Sequence, residues 1–155
     1  MRTLEDLLGE SPVFTGLEPA YRSLVAGCGR NVVVPAGERL FREGGRADTF
    51  YLVRAGRVAL SIHVPRRGDL TVETIEPGDV LGWSWLFPPY TWHFDARAVE
   101  EVHAVAFDGA CLRGKCDDDP ALGYELLRRF GKVLIDRLRH TRMRLVDVYG
   151  SHPRD

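Results

Sequence analysis

The chain has little of several things, and each shortage removes a class of function. Cysteine is scarce: Cys28, Cys111 and Cys116 are the three in 155 residues. Three thiols build no disulfide framework. Cys28 sits between two glycines, as a loop thiol would. Cys111 and Cys116 stand five apart with no histidine nearby, which fits no zinc spacing. Long apolar runs are missing, so no segment approaches the roughly eighteen residues of a membrane span. Met1 to Leu8 carry Glu5 and Asp6 within a short apolar pattern, unlike a secretory leader. The chain is expected in the cytoplasm. Excess charge is also missing; a net charge of −1 argues against bulk nucleic-acid binding. No Gly-x-Ser-x-Gly and no P-loop is present. His63, His93, His103, His140 and His152 contain no His-x-His pair, which argues against a cupin-like metal enzyme. No catalytic residue and no metal site is expected.

What is present is a glycine-punctuated run from Val32 to Leu60. Pro35-Ala36-Gly37, Glu43-Gly44-Gly45 and Ala55-Gly56 read as turns. Between them, Leu40-Phe41, Thr49 to Val53 and Arg57 to Ile62 read as short strands. Val58, Leu60 and Ile62 alternate with small or polar residues, as in a half-buried strand. Four short strands in about thirty residues predict an antiparallel β-roll, mainly β with flanking helices. Thr71 to Ile75 returns after a turn at Pro65 to Asp69. Trp92 to Ala98 and Val102 to Phe107 are the last expected strands. A single domain over 1–155 is expected: N-terminal helices in 1–30, the roll in 31–107 and a long C-terminal helix in 117–149. Leu4, Leu7 and Leu8 share one helical face, and Tyr21, Leu24 and Val25 another.

Two segments stand out. Six of the twelve residues from Trp83 to Phe94 are aromatic, and all three tryptophans lie there. The terminal helix, capped by Asp117 to Asp119 with Pro120 in its first turn, carries Leu127, Phe130, Leu134, Leu138, Thr141, Leu145 and Val148 at steps of three and four. That stripe predicts a dimerisation helix. Leu122, Leu126 and Val133 widen its first half, which is expected to pack on the roll. Seven basic residues against three acids, from Glu125 to Val148, read first as a solvated outer face. Contact with an acidic partner or nucleic acid is the lesser reading.

The spacing Pro35-x-Gly37-x-x-Leu40-Phe41-x-x-Gly44, then Ala47-Asp48-x-Phe50-Tyr51-Leu52-Val53 and Gly56-x-Val58, resembles the cyclic-nucleotide-binding domain of catabolite-activator-type sensors. Pro77-Gly78-Asp79-Val80-Leu81-Gly82 is similar to the step just before that family's phosphate-binding cassette. The resemblance runs from about Leu7 to Tyr149. It implies a jelly-roll-like fold and a ligand, cAMP or cGMP, held by a Glu on the ribose and an Arg on the cyclic phosphate. Gly82 matches the cassette. The Glu position is Trp83, and the Arg position falls on Trp92 or His93. Arg97 lies several residues too late, and strand alternation turns it outward if Trp92, Phe94, Ala96 and Ala98 face the pocket.

A charge-assisted hydrogen bond contributes about 1.5–3 kcal/mol. Losing two costs about 3–6 kcal/mol, or two to four decades of affinity. The candidate pocket residues Gly82, Trp83, Ser84, Trp85, Trp92 and His93 therefore predict poor cAMP or cGMP binding. Two readings of the aromatics stay open. Either the indoles fill the pocket themselves, or Trp83 and Trp92 wall a site for a flat ligand anchored by Ser84 or His93. The expected function is a stand-alone, non-enzymatic sensor module, a homodimer acting through a protein partner. The alternative is a genuine cAMP- or cGMP-binding regulator. The resembled regulators read DNA through a helix-turn-helix after the long helix. This chain shows none before Asp155, so DNA reading is not expected.

Overall fold

The computed structural model describes residues 3–150, with side chains through Val148. Met1, Arg2 and His152 lie outside the described residues. Helix α1 (Leu4–Glu10) starts at a capping box: the Thr3 hydroxyl accepts from the Asp6 amide at 3.1 Å, and the Asp6 carboxylate accepts from the Thr3 amide at 3.0 Å. Helix α2 (Pro19–Ala26) begins on a proline, whose missing N–H costs nothing in the first turn.

Eight strands follow: β1 (Gly29–Val34), β2 (Arg39–Phe41), β3 (Thr49–Ala55), β4 (Val58–Val64), β5 (Gly68–Ile75), β6 (Val80–Leu81), β7 (Asp95–Ala98) and β8 (Val102–Asp108). They form two four-stranded antiparallel sheets, ordered β1-β8-β3-β6 and β2-β7-β4-β5. Helix α3 (Gly109–Asp118) and the long helix α4 (Pro120–Gly150) complete the chain. The mainly β roll with flanking helices is the architecture that the turn spacing predicts. The β3–β4 turn shows why it needs glycine. Gly56 has φ +83°, and a Cβ there would lie 2.3 Å from the Glu101 carbonyl oxygen.

Strand alternation splits the apolar residues between two cores. Phe50 and Leu52 of β3, with Val105 and Phe107 of β8, face the helices. Val53, Leu81, Val102 and Ala104 face the other sheet, where they meet Val58, Leu60, Ala96 and Ala98. The helix-side core is aromatic. Phe50 stacks on Phe107 at 4.6 Å and on Trp85 at 4.9 Å, and Phe130 of α4 meets Phe50 edge-on at 5.2 Å.

Helix α4 differs from its sequence reading in two ways. Phe130, placed above on the dimer stripe, is fully buried in this core together with Leu122 and Leu126. An aromatic ring this size is drawn to the closest apolar surface, here the roll. The basic residues are also not all on an outer face. Arg129 is ion-paired to Glu125 at 2.9 Å and donates to the Val13 and Thr15 carbonyls at 2.8 and 2.9 Å. Arg137 donates to the Val80 carbonyl, and Arg144 to that of Val72. Phe130, Arg137 and Arg144 are seven residues apart, two helical turns each, so they continue one roll-facing row. Leu127, Leu138, Thr141, Leu145 and Val148 are exposed, and Leu134 is half-buried.

A polar clasp holds the aromatic loop to α3. Arg113 donates to the Asp48 carboxylate at 2.9 Å and to the Trp85 carbonyl, and its guanidinium lies 4.3 Å from the centre of the Tyr90 ring. Arg46 binds the other Asp48 oxygen at 2.6 Å. The Arg113 and Arg46 hydrogen bonds hold the Asp48 carboxyl below its ordinary value. A depressed carboxylate contributes stability above its unfolded pKa, lost as pH falls through the folded one. Asp48→Asn should therefore destabilise the protein at neutral pH, and the gap to wild type should shrink with acidification. Urea melts across an acid series measure this. A gap independent of pH would contradict it.

Candidate ligand site

The family resemblance places a ligand at the mouth of the roll, beside the segment after β6. That segment is turn rather than helix, and its backbone is held from the opposite loop. The Gly44 amide donates to the Trp92 carbonyl at 2.8 Å, and the Trp92 amide donates to the Gly45 carbonyl at 2.9 Å. The Ala47 amide donates to Tyr90 at 2.7 Å. This pairing shortens the expected Trp92–Ala98 strand to β7, because residues 90–92 join the turn loop instead of the sheet.

The pairing aims the Trp92 ring inward. It stacks on Phe41 with centroids 3.7 Å apart and planes within 8°, and it is 6% exposed. Its six-membered ring lies over Gly82, where a Cβ would be 2.6 Å away. Gly82, at φ +95°, thus serves both the turn and the close approach of the indole. Trp83 meets Phe94 edge-on at 5.7 Å. The space left among Phe41, Leu60, Leu81, Gly82, Trp83, Ser84, Trp92, His93 and Phe94 is about 10 Å³. That is room for one water at most, whereas small-molecule sites run to roughly 300–1,000 Å³.

Five of the six pocket candidates therefore meet at this place: Gly82, Trp83, Ser84, Trp92 and His93. His93 is exposed and Ser84 is buried at 4%. Trp85 does not join them. It lies in the helix-side core, fully buried against Phe50 and Phe130. Arg97 points outward as the alternation requires; it is exposed and donates to the Gly37 carbonyl at 2.6 Å. No guanidinium or carboxylate lines this small space. On the outer side of the Trp92 ring, a separate open groove of about 270 Å³ runs past Arg42, Arg46 and Tyr51.

The residue that sequence reasoning missed is Arg137. Its guanidinium lies 5.2 Å from the Trp83 ring centre, and its Nε is 3.8 Å from Glu73. Its side chain is 12% exposed. Burial lowers its pKa, while Glu73 and Asp79 push it back up. Through this one side chain α4 touches the pocket wall, a strand carbonyl and an acid of β5. The available signal was the seven-residue step from Phe130.

Comparison with known proteins agrees with this architecture. Residues 31–119 match the cyclic nucleotide-binding domain family. A CRP-like cAMP-activated global transcriptional regulator of Mycobacterium tuberculosis is 29% identical over 145 residues, 94% of this chain and 63% of that protein. This chain thus spans less than two thirds of the length of that curated relative. The crystal structure of a cyclic nucleotide-binding protein from Geobacter metallireducens GS-15 superposes with a TM-score of 0.79 at 29% identity, covering 89% of this chain and 99% of that one. The catabolite activator protein of Thermus thermophilus shares the fold at 24% identity, with a TM-score of 0.71 over 90% of this chain and 63% of its own. No described helix is long and apolar enough to cross a membrane. The match over residues 31–119, on a two-sheet roll closed by a long helix, means that the chain belongs to the cyclic nucleotide-binding domain family.

Proposed function

We propose that this chain is a non-enzymatic, cytoplasmic regulatory module whose nucleotide pocket is filled by its own Trp92, so that neither cAMP nor cGMP is its working ligand. The observation that carries this reading is the stacked Phe41–Trp92 pair over Gly82, which leaves about 10 Å³. The chemistry supports it too. The positions of the family's Glu and Arg hold Trp83 and Trp92 or His93, and Arg97 faces away. Opening the site means unstacking an indole and exposing apolar surface at roughly 25 cal/mol per Å². The nucleotide would have to offset that cost without a guanidinium for its phosphate.

A second reading is favoured by the cAMP-activated name of the Mycobacterium tuberculosis relative. In it Trp92 swings out and a nucleotide enters. Tryptophan fluorescence, backed by calorimetry, separates the two when cAMP and cGMP are titrated into the protein. The expected result is no saturable signal up to millimolar nucleotide. Saturation in the micromolar range overturns the filled-pocket reading and supports the second.

The module's output runs through α4. Leu138 and Leu145 leave apolar surface open along the helix beyond the roll-packed row, which suits a second copy of the chain or a partner helix. Homodimerisation is the form proposed. Sedimentation equilibrium should show a concentration-dependent dimer that Leu138→Glu weakens. A chain that stays monomeric at high micromolar concentration contradicts this.

A further inference from the structure

Away from the aromatic pocket, a larger groove runs between α4 and the roll. Facing the helix are Pro12, Val13 and Thr15 of the loop between α1 and α2, Glu73 of β5, and Asp79 and Val80 at the start of β6. The space is about 480 Å³, inside the roughly 300–1,000 Å³ of small-molecule sites. Two arginines of α4 fix its shape. Arg129 holds the loop through the Val13 and Thr15 carbonyls at 2.8 and 2.9 Å. Arg137, about two turns further on, reaches the roll: Nη2 donates to the Val80 carbonyl, and Nε lies 3.8 Å from the Glu73 carboxylate. Both walls are thus held in place by the chain itself, which lowers the cost of binding.

One donor is left over. Arg137 Nη1 is buried and has no hydrogen-bond partner among the described residues. A buried guanidinium N–H without an acceptor is costly, so an acceptor brought from outside the chain is favoured there. The charges around it balance. Arg129 is neutralised by Glu125 at 2.9 Å. That leaves Lys132, Arg137 and Arg139 against Glu73, Asp79 and Asp136, with His140 exposed beside them. Lys132, Arg139, Asp79 and Asp136 are exposed and form no ion pair among the described residues. A balanced set favours neither a plain anion nor a plain cation. It suits a molecule that carries both charges. Pro12, Val13, Val80 and Val133 make the uncharged part of the lining apolar, which suits an aliphatic body.

We propose that this groove binds an aliphatic α-amino acid, its carboxylate on Arg137 and Lys132, its ammonium on Asp79 and Asp136, and its side chain against the valines. A ligand held there touches the α1–α2 loop, the roll and α4 at once, and so bears on the helix that carries the proposed output. The site does not depend on the filled-pocket reading, because nucleotide titration answers that question and amino-acid titration this one.

Calorimetry on the full chain tests it with leucine, isoleucine and valine. Two controls are leucinamide, which lacks the carboxylate, and isocaproate, which lacks the ammonium. At least one amino acid should saturate below the millimolar range, and losing either charge should weaken binding about tenfold. Asp136→Asn and Lys132→Gln, both at exposed positions, should each weaken the amino acid while leaving the melting temperature of the free protein unchanged. No saturable heat from any of the three amino acids below the millimolar range overturns the proposal. So does isocaproate or leucinamide binding as tightly as leucine, or an affinity that neither variant changes.

Discussion

The Trp92 indole, flat on Phe41 and seated over Gly82, is the contact that governs the mouth of this roll. Each part depends on the others. The indole can approach the backbone only because residue 82 lacks a Cβ. It faces inward because its own backbone is paired to Gly44 and Gly45 on both sides. Phe41 is available to it because β2 pairs with β7 through a register shift between Arg39 and Phe41. An aromatic pair of this kind adds about 0.5–1.5 kcal/mol beyond the area it buries. The small residues Ala96, Ala98 and Ala104 keep the inter-sheet core thin below it.

The same end of the roll is tied to α4 by charge. Arg137 reaches Trp83, the Val80 carbonyl and Glu73, while Arg144 reaches Val72. A guanidinium suits this place. It stacks on an indole and donates to a carbonyl at once, and it stays charged despite burial. The helix position is therefore set by contacts within the chain. On the proposed reading, what changes the module is whatever meets the exposed side of α4.

Much of this was legible in the sequence. The turns at Gly37, Gly44 and Gly56, with period-two alternation between them, fixed the roll and its antiparallel pairing, since each position follows from local backbone chemistry. Alternation also put Arg97 outside. The pocket composition could be read because Gly82, Trp83 and Trp92 lie within a few residues of the cassette step. Which way each aromatic turned could not. Trp85 and Trp92 are both tryptophans in one loop, yet one belongs to the helix-side core and the other to the pocket. That depends on loop pairing with residues 44–47, a contact some 45 residues away in the chain. Phe130 and Arg137 were hidden for a similar reason. A stripe at steps of three and four serves a roll and a partner helix equally well, and only the packing decides.

Thermal unfolding of Trp92→Ala beside wild type, each with and without indole and cAMP, tests the central claim most directly. Removing a buried tryptophan should cost about 3–5 kcal/mol. The vacated apolar space should bind indole, as engineered apolar cavities bind small aromatics. The account predicts that indole raises the melting temperature of the variant alone, and that cAMP leaves wild type unchanged. A wild type stabilised by cAMP, together with a variant that loses little stability and ignores indole, would contradict it.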